Sequence, residues 1–170
     1  MNDHKGFFAM MARMKYIERW ALMRNSVSEN ICEHSLEVAM LAHGLGIIGR
    51  KRFGKDLSPE RLAMLGMYHD CTEIITGDMP TPVKYANDEL KEAYKAIEDS
   101  AAHRLLEMLP EDLRAEYESY FLPEQITPEE YRYVKAADKL SALIKCIEEE
   151  KTGNQEFRSA KQATYESLQQ

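Results

Sequence analysis

Apolar residues recur at every third or fourth position over most of the chain, which is the period of an amphipathic α-helix. One stripe runs from Phe7 to Ile17, and a longer stripe runs from Val134 to Ile147. The sequence contains no stretch of alternating β-branched residues between hairpin turns. The pattern therefore predicts an all-α protein.

Capping residues mark where several of these helices begin. Asn30 and Glu33 have the spacing of a capping box, and a second capping box opens a helix at Thr127. Ser58 precedes a proline and predicts the start of a third helix, which we expect to end at Gly77. Together the stripes and caps predict six to seven helices.

The length of 170 residues suits a single domain, which we expect to cover residues 1–170 with its core over about residues 7–150. Residues 154–170 are only weakly amphipathic, so they predict a weakly anchored C-terminal helix or tail. The segment from Thr76 to Lys84 contains one glycine and two prolines. It predicts a loop of restricted flexibility, and such loops often carry function.

Composition and charge narrow the expected partners. Acidic residues outnumber basic ones by 29 to 22, so the formal net charge is −7 and we expect no nucleic acid polymer as a partner. No apolar run approaches the ~20 residues of a membrane-spanning helix, and we expect no membrane association. The three cysteines are widely spaced, and the first 30 residues hold no uninterrupted apolar segment. Both features favour a cytoplasmic location.

His34 lies on the predicted buried stripe of its helix, which continues through Val38, Leu41, Leu45 and Ile48. A lone histidine at such a position is more often a hydrogen-bonded core residue than a ligand. Its interpretation therefore depends on which other polar residues the fold brings near it.

Three other residues favour a metal site. His69 and Asp70 are adjacent near the end of the third predicted helix, and a metal ion over the wedge between them can bind both side chains. Asp138 is the only acidic residue in the stretch YVKAADKLSALIKCI, where a buried carboxylate requires a cation or several donors. With His34 they offer two imidazoles and two carboxylates, a set that neutralises a divalent cation.

Two neighbours of the HD pair are candidates for the chemical step. Glu73 lies one helical turn beyond the pair; such a glutamate is ordinarily exposed, but beside a bound metal it can act on an attacking water. Cys71 is an alternative nucleophile, but no base is placed for it, so we expect a buried core residue.

The order of the candidate ligands, H…HD…D, resembles that of the HD-domain superfamily of metal-dependent phosphohydrolases. Over about Phe7 to Glu150 the chain is similar to the bacterial 5'-deoxynucleotidase (YfbR-like) branch of that superfamily. The segments that carry this similarity are ERW at 18–20, EHSLEVA at 33–39, HDCTEIITGDMPTPVKY at 69–85 and KAADKLSALIKCIEE at 135–149.

This resemblance implies an HD-domain helical bundle that binds a divalent cation, with cobalt, manganese or another transition metal as candidates. The implied metal ligands are His34, His69, Asp70 and Asp138, and the implied catalytic carboxylate is Glu73. The implied substrate-binding residues are Arg19, Trp20, Asp78, Lys84 and Lys139.

The resemblance also assigns roles within the substrate pocket. It implies that Arg19 recognises the phosphate, that the Trp20 indole restricts the 2' position of the sugar and that Asp78 contacts the 3'-hydroxyl. Lys84 and Lys139 are expected as phosphate neighbours, although exposed lysines are mostly solvated.

The expected function is the metal-dependent hydrolysis of deoxyribonucleoside 5'-monophosphates to a deoxynucleoside and phosphate. Two alternatives stay open at this point: an HD phosphohydrolase that acts on another phosphorylated metabolite, and a non-catalytic HD module that senses a nucleotide. The family resemblance and the many apolar helix positions also predict a homodimer.

Overall fold

The computed structural model of the protein describes residues 6–84 and 86–169. Over these residues the chain is helical and contains no strand beyond one isolated antiparallel bridge between Glu18 and Asn30. The helices in chain order are α1 (Phe7–Met11), α2 (Ile31–Phe53), α3 (Pro59–Tyr68), α4 (Glu73–Thr76), α5 (Thr81–Lys84), α6 (Asp88–Leu106), α7 (Glu111–Phe121), α8 (Pro128–Lys151) and α9 (Arg158–Leu168). The predicted all-α fold is confirmed.

The predicted helix starts are confirmed at three caps. The Asn30 side chain accepts hydrogen bonds from the backbone amides of Cys32 and Glu33, and a second capping box opens α8 at Thr127. Ser58 accepts from the backbone amide of Arg61 at the start of α3. These side chains satisfy backbone donors that the first turn of a helix leaves free.

The third predicted helix is interrupted. It was expected to run from Ser58 to Gly77, but α3 ends at Tyr68 and a new helix, α4, begins at Glu73. Between them the backbone amide of Cys71 bonds to the carbonyl of Tyr68, a tighter three-residue spacing that breaks the α-helical ladder. The break turns the chain between the HD pair and Glu73.

The predicted loop over residues 76–84 is also partly helical, because α5 occupies its second half. The backbone amides of Val83 and Lys84 both bond to the carbonyl of Pro80, which closes a single turn. Pro82 fits within this turn because the first residues of a helix need no internal donor. The segment therefore has a defined backbone where it borders the site.

Two hydrophobic clusters meet at the N-terminal half of α2. One is built from α2, α3 and α8 around Val38, Leu62 and Ala137, and the other joins α1, α6 and α7 around Phe7 and Leu105. The helices α2 and α3 approach closely at Gly66, where a side-chain carbon would lie 3.0 Å from the backbone of Ala39. This close contact brings the end of α3 next to α2.

The predicted buried stripe of α2 is wrong at its last position. Val38 is fully buried and Leu41 and Leu45 are partly buried, but Ile48 is 41% exposed. In this part of α2 it is Gly49 that faces the core, against the side chains of Tyr133 and Leu57. The stripe drifts around the helix because 3.6 residues per turn do not match a strict three-and-four repeat.

Among the described residues one helix, α2, is long enough and apolar enough to cross a membrane, judged by length and mean hydropathy alone. The sequence predicts no such helix. The same helix supplies buried residues to the core that it shares with α3 and α8.

The C-terminal segment is more firmly held at its start than its weak periodicity predicts. Phe157 is fully buried with its ring 5.3 Å from the ring of Trp20. The Asn154 side chain donates to the carbonyl of Arg24 at 2.7 Å and to Glu149 Oε2 at 2.8 Å. Single anchoring residues of this kind leave no periodic signal in a sequence, which explains the difference.

Candidate metal centre and adjoining pocket

His34 and His69 face each other across the contact between α2 and the end of α3, with ring centroids 5.3 Å apart. His69 Nδ1 lies 2.7 Å from the carbonyl oxygen of Gly66, which only accepts hydrogen bonds, so Nδ1 carries the proton. His34 Nδ1 lies 3.0 Å from Ser141 Oγ, and that hydroxyl donates to Glu37 Oε2 at 2.7 Å. Both imidazoles therefore carry a proton on Nδ1 and turn Nε2, the nitrogen that a metal would bind, towards the same point.

The two predicted carboxylates lie at this point. Asp70 Oδ2 is 3.1 Å from His69 Nε2 and 3.5 Å from His34 Nε2. Asp138, from α8, places Oδ1 at 3.2 Å from His34 Nε2 and 3.9 Å from His69 Nε2. The structure thus brings together all four residues that the sequence predicts as ligands.

Local charges keep both carboxylates ionised. Burial alone opposes ionisation, but His69 and His34 hold the pKa of Asp70 well below its usual range. Hydrogen bonding from His34 and the charge of Lys135 likewise lower the pKa of Asp138. Lys135 Nζ donates to Asp138 Oδ2 at 2.6 Å. The site is therefore an anionic cluster balanced by protein cations.

The cluster fits a divalent metal ion. The candidate ligand atoms of His34, His69 and Asp70 all lie within 4.8 Å of one another. His69 Nε2 is buried without a hydrogen-bond partner, which is costly unless a ligand completes it. Two neutral imidazole nitrogens with two carboxylates form a donor set that suits transition metals, while the remaining coordination positions stay open for water and substrate.

Glu73 lies beside the cluster on the first turn of α4. It is buried, and its Oε2 has no hydrogen-bond partner. Burial raises the pKa of Glu73 to about 10; the charges of Asp70 and Asp78 add to this shift, while those of Arg19 and Lys84 oppose it. The predicted exposed alternative for this glutamate is wrong, because the break between α3 and α4 turns it inwards.

Cys71 is buried in the α1, α6 and α7 cluster, as expected for a core residue. Burial raises the pKa of its thiol far above the usual value. A thiolate, the form that attacks phosphorus or carbon, is therefore disfavoured at this position.

Arg19 and Trp20 lie in the segment between α1 and α2. Arg19 Nη1 is 3.4 Å from Asp70 Oδ2, so the guanidinium borders the metal cluster. Trp20 has φ of 59°, a left-handed conformation that costs a bulky residue on the order of 1–2 kcal/mol. Glu29 Oε2 accepts hydrogen bonds from both residues, from Arg19 Nε at 3.0 Å and Trp20 Nε1 at 2.8 Å.

A cavity of about 870 Å³ opens above the cluster, which is within the size range of small-molecule sites. Its floor includes Asp70, Glu73 and Asp138. One wall is the segment with Arg19 and Trp20, a second is the segment from Asp78 to Lys84, and α9 lines the third with small residues (Ser159, Ala160, Ala163, Thr164 and Ser167).

Asp78 borders the cavity next to Glu73. Burial and the charge of Asp70 raise its pKa, whereas Arg19 and a hydrogen bond with the Trp20 backbone oppose that shift. Asp78 is thus linked to the segment that carries the predicted sugar-contacting indole.

Lys84 and Lys139 also line the cavity, but each ammonium group contacts a protein oxygen. Lys84 Nζ donates to Glu98 Oε1 at 2.7 Å and lies 4.6 Å from the centre of the Tyr94 ring. Lys139 Nζ donates to the carbonyl of Ser167 at 3.0 Å, which ties α9 to α8. Both lysines therefore have structural contacts within the protein.

Two residues that shape the site, Lys135 and Glu29, were not predicted from the sequence. Lys135 stands three positions before Asp138 on one helix, and that spacing is a signal for a same-face pair. Glu29 precedes α2 in a segment without periodicity, so its contacts with Arg19 and Trp20 have no local sequence signal.

Fold and cluster together define an HD-domain phosphohydrolase. The crystal structure of an HD-domain phosphohydrolase from Listeria innocua has the same fold, with a TM-score of 0.82 at 23% identity over 94% of this chain and 76% of that chain. The cyanophage S-2L HD phosphohydrolase, solved with dA and one catalytic Zn²⁺ ion, aligns with a TM-score of 0.58 at 27% identity over 81% of this chain and 69% of that chain.

Within this class, the chain belongs to the 5'-deoxynucleotidase YfbR-like family, whose model matches residues 6–170. A 5'-deoxynucleotidase of Vibrio cholerae is 52% identical over 91% of this chain and 80% of that protein. A 5'-deoxynucleotidase of Erwinia tasmaniensis is 49% identical over 98% of this chain and 84% of that protein. The predicted family, HD fold and hydrolase class are confirmed.

Proposed function

We propose that the protein hydrolyses deoxyribonucleoside 5'-monophosphates to a deoxynucleoside and phosphate with the help of a divalent metal cation. The observation that carries this proposal is the convergence of two imidazole nitrogens and two carboxylates beside a buried, unpaired Glu73 on the floor of a nucleotide-sized cavity. The family assignment supports the same activity.

In this proposal His34, His69, Asp70 and Asp138 hold the metal. A cation bound there would supply positive charge that polarises the phosphate and lowers the pKa of a nearby water and of Glu73. A metal complement of cobalt, manganese, zinc or another transition metal suits these donors.

Glu73 is the proposed catalytic carboxylate. Its unpaired Oε2 orients the attacking water and takes up a proton from it as the new bond to phosphorus forms. The bond from phosphorus to the 5' oxygen breaks, and this oxygen leaves as the hydroxyl of the deoxynucleoside after receiving from Glu73 the proton that came from the water. Arg19, next to Asp70, offsets the charge of the phosphate oxygens.

Sugar recognition is assigned to Trp20 and Asp78, which both line the cavity. The indole is held by Glu29 and Phe157, and in this proposal it excludes a 2'-hydroxyl, which would be buried without a hydrogen-bond partner. Asp78 would accept a hydrogen bond from the 3'-hydroxyl. Lys84 and Lys139 add positive potential for the phosphate from the cavity wall.

The test is phosphate release from a panel of ribo- and deoxyribonucleoside monophosphates with cobalt, manganese, zinc and magnesium. We expect kcat/KM for dAMP to exceed that for AMP by on the order of 10 to 10², and Trp20→Ala to reduce this ratio. Equal hydrolysis of both nucleotides contradicts the sugar assignment. Turnover of other phosphorylated metabolites alone, or nucleotide binding without phosphate release, identifies one of the two alternative functions.

We also propose that the protein acts as a homodimer in the cytoplasm. Leu36, Met40 and Ile47 lie on one face of α2 and are 38–61% exposed, an apolar surface that a second copy of the chain would cover. The cysteines form no disulfide among the described residues, which agrees with a reducing compartment. Light scattering that gives the mass of one chain contradicts the dimer.

A further inference from the structure

Glu29 lies outside the cavity but is bonded to two residues of one of its walls. The backbone amide of Arg19 donates to the carbonyl of Glu29 at 2.8 Å, next to the isolated bridge between Glu18 and Asn30. This pairing places the Glu29 side chain beside the two consecutive residues Arg19 and Trp20. Glu29 itself does not line the cavity, so it acts on a ligand only through them.

A single oxygen atom holds both neighbours. Glu29 Oε2 accepts from Arg19 Nε at 3.0 Å and from Trp20 Nε1 at 2.8 Å. The side chains of Arg19 and Glu29 are only 11% and 12% exposed, so water competes little for these hydrogen bonds. The orientation of the guanidinium and that of the indole therefore depend on one carboxylate.

The hydrogen bond between Glu29 and Arg19 Nε also determines which N–H donors of the guanidinium remain available to a ligand. The Nε donor points to Glu29, and Nη1 lies 3.4 Å from Asp70 Oδ2. The guanidinium is thus turned with its outer edge towards the candidate metal cluster, where other Nη donors remain for an oxyanion.

Trp20 needs such a bond because its backbone is in the left-handed region at φ of 59°. The centroid of its ring lies 5.3 Å from that of Phe157. The hydrogen bond from the indole N–H to Glu29 holds the side chain in one orientation. Loss of the carboxylate leaves a strained residue with a tilted ring contact to Phe157 and an unpaired indole donor.

We infer that Glu29 is a positioning residue that sets phosphate recognition and sugar selectivity together, because its one carboxylate oxygen holds both Arg19 and Trp20. The inference rests on the proposed function. If Glu29 is a positioning residue, removal of its carboxylate changes both the selectivity between dAMP and AMP and the mobility of the indole. A purely structural role for Glu29 predicts neither change.

The experiment compares Glu29→Ala and Glu29→Gln with the matched control Glu18→Ala, an exposed glutamate of the same segment. Trp20 is the only tryptophan, so acrylamide quenching of intrinsic fluorescence reports on this indole alone. For each variant we measure the quenching constant, the metal content after cobalt loading, and kcat and KM for dAMP and AMP.

In Glu29→Ala we expect the dAMP to AMP ratio of kcat/KM to fall by about threefold or more, with a higher quenching constant, a higher KM and full metal content. The amide oxygen of Glu29→Gln can still accept from both donors, so this variant should recover the quenching constant and most of the selectivity. Glu18→Ala should match the unaltered protein throughout.

An unchanged ratio or an unchanged quenching constant in Glu29→Ala overturns the inference, because then Glu29 does not act through Trp20. If Glu29→Ala does not fold, Trp20→Phe removes the indole donor and keeps a ring, and an unchanged ratio there has the same meaning. Absence of dAMP hydrolysis in the unaltered protein defeats the proposed function instead. The quenching measurement needs no turnover and still decides whether Glu29 holds the indole.

Discussion

Ser141 Oγ lies 3.0 Å from His34 Nδ1, and this buried contact determines which nitrogen of His34 faces the candidate metal centre. The hydroxyl has one proton, which it donates to Glu37 Oε2 at 2.7 Å. It therefore accepts from Nδ1, so that Nε2 is the nitrogen of His34 that faces a metal. Ser141 on α8 and Glu37 on α2 thus determine that His34 carries a proton on Nδ1.

Ser141→Ala should weaken metal binding by about 10- to 100-fold, because the His34 ring loses the partner that orients it. Competition between the protein and a chelating dye for cobalt measures the affinity. The matched control is Ser35→Ala, since Ser35 is equally buried but its hydroxyl has no hydrogen-bond partner. Equal cobalt affinity in the two variants would show that the hydrogen bond to His34 does not matter.

Glu73→Gln should keep the metal and the nucleotide affinity but lower kcat by roughly 10²-fold or more, because the amide cannot take a proton from water. The substitution preserves the volume of a buried side chain, so folding is not expected to change. Single-turnover phosphate release and metal analysis separate the two effects, with Glu89→Gln as an exposed control on α6. Loss of metal in Glu73→Gln would make this residue a ligand, and normal turnover would remove it from the reaction.

Glu149, which is not part of the candidate metal centre, is expected to make the stability of the fold depend on pH. It is 2% exposed; burial opposes ionisation, but hydrogen bonds from Lys145, Asn154 and the Ser26 backbone hold its pKa far below the usual value. A depressed pKa in the folded state stabilises the fold above the unfolded value of about 4.5, and the stabilisation is lost as the pH falls below it.

Glu149→Gln should therefore have a lower Tm than the unaltered protein at pH 7, and the difference should shrink between about pH 5 and pH 3. Circular dichroism melts across this range measure it. Glu148→Gln, an exposed neighbour on α8, is the control and should show no such trend. A Tm difference that stays constant down to pH 3 would mean that the ionised form of Glu149 is not what stabilises the fold.

Much of the fold was predictable because its signals are local. The capping boxes at Asn30 and Thr127 satisfy backbone donors within three residues, so their chemistry is readable from sequence. The break between α3 and α4 was not predictable, since the apolar period continues through residues 69–72 while the hydrogen bonds tighten.

In the candidate site, too, some residues could be predicted from the sequence and others could not. His34, His69, Asp70 and Asp138 were identified from residue type and order, and the structure brings them together. The contacts of Glu29 join residues ten positions apart in a segment without periodicity, and those of Ser141 join helices more than a hundred residues apart. Such contacts depend on how the chain closes its loops and packs its helices.

The measurement that tests the central claim most directly is a cobalt titration of metal-free protein, followed in parallel by bound metal and by phosphate release from dAMP. We predict that both rise together and level off at one cobalt per chain, and that Asp138→Ala and His69→Ala show neither the binding nor the activity. A variant that binds a full equivalent of cobalt and turns over dAMP normally would contradict the assignment of these residues as the metal centre.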